Sequence, residues 1–189
     1  MLINQIFFYE DPVRFTTQIN ELCDELDTRI GSEIGVFPKK TPRILISGCP
    51  MAVPNWKLPS IIETSGAVIV AEESCVGERG ARNLIETNTG TLDNLIDSIV
   101  DRYFKIDCAI YSPNVDRVEH IKEMYKRYNA DGVVLYCIQF CTPYSIEAVT
   151  IEKQLENEGI PTIRVETDYS TVDIGQLKTR IQAFVERIS

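Results

Sequence analysis

Six cysteines are the residues of this 189-residue chain best equipped for chemistry, and they stand at 23, 49, 75, 108, 137 and 141. A thiolate can be a nucleophile, a soft metal ligand or half of a disulfide, and its surroundings decide which. A disulfide framework in a chain of this size would accompany a secretory leader. The opening MLINQIFFYEDPVRF has no basic start and reaches an acidic residue by Glu10, so reduced thiols in a cytoplasmic protein are expected. No Cys-x-x-Cys pair occurs, and spacing alone leaves core filler, catalyst and metal ligand open.

Position relative to the strands separates them. Cys49 follows the β-type run RILISG, Cys75 follows AVIVAEE and Cys141 follows DGVVLYCIQF. In an open parallel sheet, ligands bind outside the carboxyl ends of the strands, so Cys49, Cys75 and Cys141 should converge on one crevice as a candidate cofactor or metal site. Thr142 reads as an N-cap and Pro143 as a first helical residue, which would set the Cys141 thiol beside the positive end of a helix dipole. Cys108 and Cys137 fall inside predicted strands and Cys23 on a predicted helix, where a small buried apolar residue is the simplest reading. Glu72, Glu73, Glu78 and Arg79 surround Cys75 and read either as an active-site charge cluster or, more simply, as a solvated loop, and Glu72, Glu73, Glu78 and Glu86 would steer an incoming partner. The single histidine, His120, lies in the charged helical segment RVEHIKEMYKRY and reads as a surface residue. No G-x-G-x-x-G or Walker pattern is present.

The elements that must position these thiols follow from hydrophobic period. Phe15, Ile19, Leu22 and Leu26 make one face of a helix over 11–30, and GVFPKKTPR, residues 35–43, reads as a linker. Five β-rich runs follow: RILISG, AVIVAEES, KIDCAIYS, DGVVLYCIQF and PTIRVET. Helical stretches at about 56–65, 91–103, 116–129 and 144–158 alternate with them, and a last helix after Asp173 carries Ile174, Leu177, Ile181, Phe184 and Ile188. Near-continuous apolar strands separated by helices predict an α/β fold, a Rossmann-like parallel sheet with helices on both faces, preceded by an N-terminal helix. The expected division is residues 1–40, helix and linker, and residues 41–189, one Rossmann-like domain. Hydrophobic residues at 44% suffice for a core, while 19 basic against 28 acidic residues, net −9, argue against nucleic-acid and anionic-membrane partners. No apolar run approaches the ~20 residues of a bilayer span.

The segments RILISGCPMAVPNWKLPSIIE, AVIVAEESCVGERG, RYFKIDCAIYSPN, ADGVVLYCIQFCTPYSIEA, GIPTIRVETDYS and QLKTRIQAFVERI resemble the carboxyl-terminal half of the 2-hydroxyacyl-CoA dehydratase and benzoyl-CoA reductase family. SGCP and ESCVGERG point to its double-cubane-cluster branch. The resemblance implies an iron–sulfur cluster, 4Fe-4S or a double-cubane 8Fe-9S form, bound in a metal-binding domain with Cys49, Cys75 and Cys141 as ligands and Cys108 also recurring. It implies an anaerobic reductase or dehydratase component that receives low-potential electrons from an ATP-hydrolysing iron–sulfur activator protein. It implies further a missing N-terminal domain or second subunit, and a dimer. The residues alone leave two rivals: a metal-free α/β interaction module with structural cysteines, and a structural zinc site.

Overall fold

A computed structural model describes residues 9–51, 55–88 and 90–189. Residues 1–8 of the expected N-terminal connection and residues 52–54 of the SGCPMAVP segment lie outside the described residues. The elements run α1 (Pro12–Gly31), β1 (Arg43–Gly48), α2 (Lys57–Thr64), β2 (Val68–Glu73), α3 (Glu78–Ala81) and α4 (Leu92–Phe104). They continue as α5 (Val115–Arg127), β3 (Gly132–Ile138), α6 (Thr142–Asn157), β4 (Thr162–Thr167) and α7 (Ile174–Ile188). Local chemistry sets the ends of the helices. The Asp11 carboxylate accepts from the Val13 and Arg14 N–H groups ahead of Pro12, and the Thr91 hydroxyl oxygen accepts from the Asn94 N–H at the start of α4.

All strand pairs are parallel and the sheet order is β2-β1-β3-β4. The central strands RILISG and GVVLYCI are apolar nearly throughout and almost wholly buried, whereas the edge strands β2 and β4 keep partly exposed positions. That contrast is what two covered faces with two open edges require. From β1 the chain crosses through α2 to β2 on one side, and from β3 through α6 to β4 on the other. Right-handed crossovers therefore place α2 on one face and α6 on the opposite one, where α7 and α5 respectively pack beside them. Strand order reverses between β1 and β3, so the crevice of this doubly wound sheet opens above those two strands.

Two expectations fail here. The run KIDCAIYS is not a strand: among the described residues the sheet has four strands, and Cys108 sits in a turn closed by the Tyr111 N–H donating to the Cys108 carbonyl. The reason is Asp107, whose buried carboxylate is drawn to Arg82 and His120 and pulls the segment off any strand path. Cys23 is exposed, because α1 buries none of its residues, and its apolar stripe is not part of the core. No helix among the described residues is long and apolar enough to cross a membrane.

Candidate functional site

The crevice above β1 and β3 is built by a glycine. Gly48 ends β1 at φ 143°, and a Cβ there would lie 1.9 Å from the Tyr136 carbonyl oxygen, so no other residue fits. This close approach delivers Cys49 against β3: its N–H donates to the Tyr136 carbonyl at 3.0 Å, and its Sγ accepts from the Ile138 N–H at 3.4 Å. The Cys141 thiol stands near enough to Cys49 to act on it electrostatically. Burial pushes the Cys49 thiol up to about 12; the Ile138 N–H pulls the other way, and the Cys141 thiol adds to the rise. Cys141 is itself the N-cap of α6, one residue before the expected Thr142, with Pro143 in the first turn. Its N–H donates to the Ile138 carbonyl, and the preceding Phe140 holds φ 70° with its ring 90% exposed at the rim. Two thiols from the two strands of the switch point thus meet at one place.

Cys75 follows β2 at the same carboxyl edge, but its partner differs. Arg79 Nη1 lies 3.8 Å from the Cys75 Sγ. Gly77 permits the turn between them, since a Cβ there would lie 2.1 Å from the Glu72 carbonyl oxygen. Among the described residues no three or more His, Cys, Asp or Glu side chains are gathered as a metal ion would need. An iron–sulfur cubane takes three or four thiolates. Cys49 and Cys141 therefore fit as part of a ligand set and do not complete one.

Beneath this edge lies a buried charge cluster, and the solvated loop, the simpler of the two expectations for Glu73 and Arg79, is corrected. Glu73 is 0%, Arg117 1% and Arg79 2% exposed. Arg79 Nε donates to Glu73 Oε1 at 2.6 Å and its Nη1 to the Tyr144 hydroxyl at 2.8 Å. Ser47 Oγ donates to Glu73 Oε2 at 2.6 Å, and Arg117 Nε stands 3.4 Å from the same oxygen. Arg117 Nη1 pairs with Glu147, and its guanidinium lies 4.8 Å from the centre of the Tyr144 ring. Burial works against the Arg79 charge, yet Glu73 and Tyr144 beside it hold its pKa above the ordinary value. Burial pushes the Glu147 carboxyl up, against the pull of Arg117 and Asn114.

Asp107 extends the cluster toward His120, whose Nδ1 lies 2.8 Å from it. Burial would raise the Asp107 carboxyl, but His120, Arg82 and Arg79 together hold it below its usual value. His120 is consequently half-buried and partnered, where a surface position was expected.

The acidic docking face is corrected in the same way. Glu73 is inside, Glu72 is half-buried with its carboxylate bonded by Ser74, and Glu78 pairs with Arg127 at 3.2 Å and accepts from the Tyr128 hydroxyl. Only Glu86 of the four is exposed. Sequence reasoning also missed Ser47, Arg117, Tyr144 and Glu147. For two of them the signal was phase: Arg117 stands four residues before Ile121 and Tyr144 four before Ala148, each on the buried stripe of its own helix.

A family model described as 2-hydroxyglutaryl-CoA dehydratase, D-component, matches residues 1–188. The chain is 37% identical over 173 residues to YjiM of Escherichia coli, which bears a dehydratase-subunit name; the match covers 90% of this chain and 44% of that protein. It is 28% identical to the (R)-phenyllactyl-CoA dehydratase beta subunit of Clostridium sporogenes, covering 96% of this chain and 46% of the relative. It is 26% identical to the beta subunit of (R)-2-hydroxyglutaryl-CoA dehydratase of Acidaminococcus fermentans, covering 92% and 45%. The chain spans about half the length of these relatives.

Proposed function

Since the chain belongs to the 2-hydroxyglutaryl-CoA dehydratase D-component family, we propose that it is one α/β half of a subunit that dehydrates a 2-hydroxyacyl thioester or performs a related low-potential reduction. The observation that carries this reading is the meeting of Cys49 and Cys141 at the switch point of the sheet. In this reading the two thiols are ligands of an iron–sulfur cluster, and the remaining ligands come from Cys75 or from a second α/β half. When bound, such a cluster supplies single electrons at low potential. An ATP-hydrolysing iron–sulfur activator is the proposed electron donor, and a double-cubane form is the proposed cluster type.

Gly48 lets β1 approach β3 closely enough to bring the Cys49 sulfur to the Ile138 N–H. A hydrogen bond of that kind stabilises negative charge on sulfur and fixes the orientation of a ligand. The N-terminus of α6 places further positive potential at Cys141. The buried cluster of Glu73, Arg79 and Arg117 locks the loops after β1 and β2 to α5 and α6, so that the edge presents one rigid shape.

The test is anaerobic co-production of this chain with the other half of a relative's length, followed by iron and acid-labile sulfide analysis. A brown protein whose iron and sulfide fall in a Cys49→Ala, Cys141→Ala double variant is expected. A colourless assembly, or one with unchanged cluster content in that variant, overturns the ligand assignment and leaves an interaction module with structural thiols.

A further inference from the structure

A cavity of about 600 Å³ opens between α2 and the start of α7, and neither Cys49 nor Cys141 lines it. Its size falls within the range of small-molecule sites, a few hundred to about 1,000 Å³. Two aromatic rings line it, Trp56 and Tyr169, and both are exposed, at 40% and 73%. Neither enters an aromatic pair among the described residues. The cavity also holds the Ser60 and Thr171 hydroxyls and the Lys178 ammonium, and no carboxylate among the described residues is paired with Lys178.

The wall is preformed. Lys57 Nζ donates to the Ser170 carbonyl at 2.7 Å and to Asp173 at 2.8 Å, and it stands 3.8 Å from Asp168. The Lys57 charge is thereby spent on bracing the loop that carries Tyr169 and Thr171 against the start of α2. Asn55 is pinned likewise, its Nδ2 donating to the Tyr136 hydroxyl at 3.0 Å. Lys178 is left as the one lining cation without an acidic partner among the described residues. Flat rings with free faces take a planar π-system, hydroxyls suit a sugar, and an unpaired ammonium takes an anion.

We propose that this cavity binds a nucleoside phosphate, its base against Trp56 and Tyr169 and its phosphate on Lys178. The site lies along α2 against the first turns of α7, beside the switch-point crevice and not in it, and it does not depend on the cluster assignment.

The chain contains a single tryptophan, so its fluorescence reports this cavity directly. The purified chain is titrated with AMP, adenosine, inorganic phosphate and phenyllactate in parallel. Saturable quenching by AMP at sub-millimolar concentration is expected, with adenosine at least about tenfold weaker and phosphate alone without effect. Lys178→Glu should weaken AMP at least about tenfold. Trp56→Ala, followed by equilibrium dialysis, should do the same, while Lys153→Glu on the opposite face changes nothing; circular dichroism checks that each variant is folded. Absence of saturable quenching by about 5 mM AMP overturns the proposal. So does equal binding of adenosine and AMP, or unchanged affinity in Lys178→Glu. Tighter binding of phenyllactate than of AMP reassigns the cavity to an aryl acid.

Discussion

Two polar clusters lie side by side at the carboxyl edge, and they answer burial in opposite ways. Around Glu73, every charge is met by another: Arg79 and Arg117 share one carboxylate, and Glu147, Tyr144 and Ser47 close the set. At the switch point, Cys49 and Cys141 meet each other and one backbone N–H, and burial keeps the Cys49 proton on. The first cluster pairs its charges among the described residues. At the second, burial disfavours the charged form of Cys49, whereas the first holds its charges by pairing them.

The comparison breaks first, if it breaks, at Glu73. Glu73→Ala removes the buried carboxylate that two guanidinium groups share, and a loss of about 3–5 kcal/mol is expected in urea unfolding. A loss under about 1 kcal/mol would mean the cluster is wet and not a closed unit. Next comes Gly48→Ala, whose Cβ meets a backbone carbonyl at 1.9 Å. About 2 kcal/mol or more should be lost, together with the contact between Cys49 and Ile138. An unchanged denaturation midpoint would show that β1 can withdraw from β3 at no cost.

Alkaline pH sharpens the contrast. Burial raises the folded-state values of Cys49 to about 12, Cys137 to about 11 and Tyr136 to about 12. A raised group costs nothing below its unfolded value, near 9 for cysteine and near 10 for tyrosine. Above that, the unfolded chain releases protons that the folded chain keeps, so stability should be level to about pH 9 and fall toward pH 11–12. Urea midpoints measured across that range check it; in Cys49→Ala the fall should be shallower, and an identical slope would show that Cys49 titrates as an exposed thiol.

The smallest expected effect separates two neighbouring thiols. Cys137 is buried inside β3, and its thiol donates to the Tyr144 carbonyl, so Cys137→Ala should cost about 1 kcal/mol. Cys141 is half-buried at a helix start, and Cys141→Ala should stay within about 0.5 kcal/mol. Equal losses would erase the distinction between a core thiol and an edge thiol.

Particular residues show how far pattern reading reaches. RILISG was legible as β1 over Arg43–Gly48, because an unbroken apolar run suits a strand covered on both faces. The α7 stripe was equally legible, since Leu177, Ile181 and Phe184 repeat at helical spacing and all are buried. KIDCAIYS was misread because its alternation satisfied the strand rule while Asp107 was claimed by Arg82 and His120 from other elements. Cys23 was misread because a stripe on a helix says that a face seeks cover, without saying that this chain supplies it.

The sequence by itself determined the class of fold and the strand ends on which Cys49, Cys75 and Cys141 stand. Those features are local: apolar period, turn residues and helix starts are written within a few neighbouring positions. Only the tertiary structure decided that Cys49 meets Cys141 while Cys75 stands with Arg79, and that Glu73 is buried between two arginines. Cys49 and Cys141 stand 92 residues apart and Glu73 and Arg117 stand 44 apart, while Arg79 is 4 residues from Cys75 and 6 from Glu73. Which long-range groups meet depends on strand order and crossover hand, and the order β2-β1-β3-β4 set Cys49 and Cys141 on the two strands of one crevice.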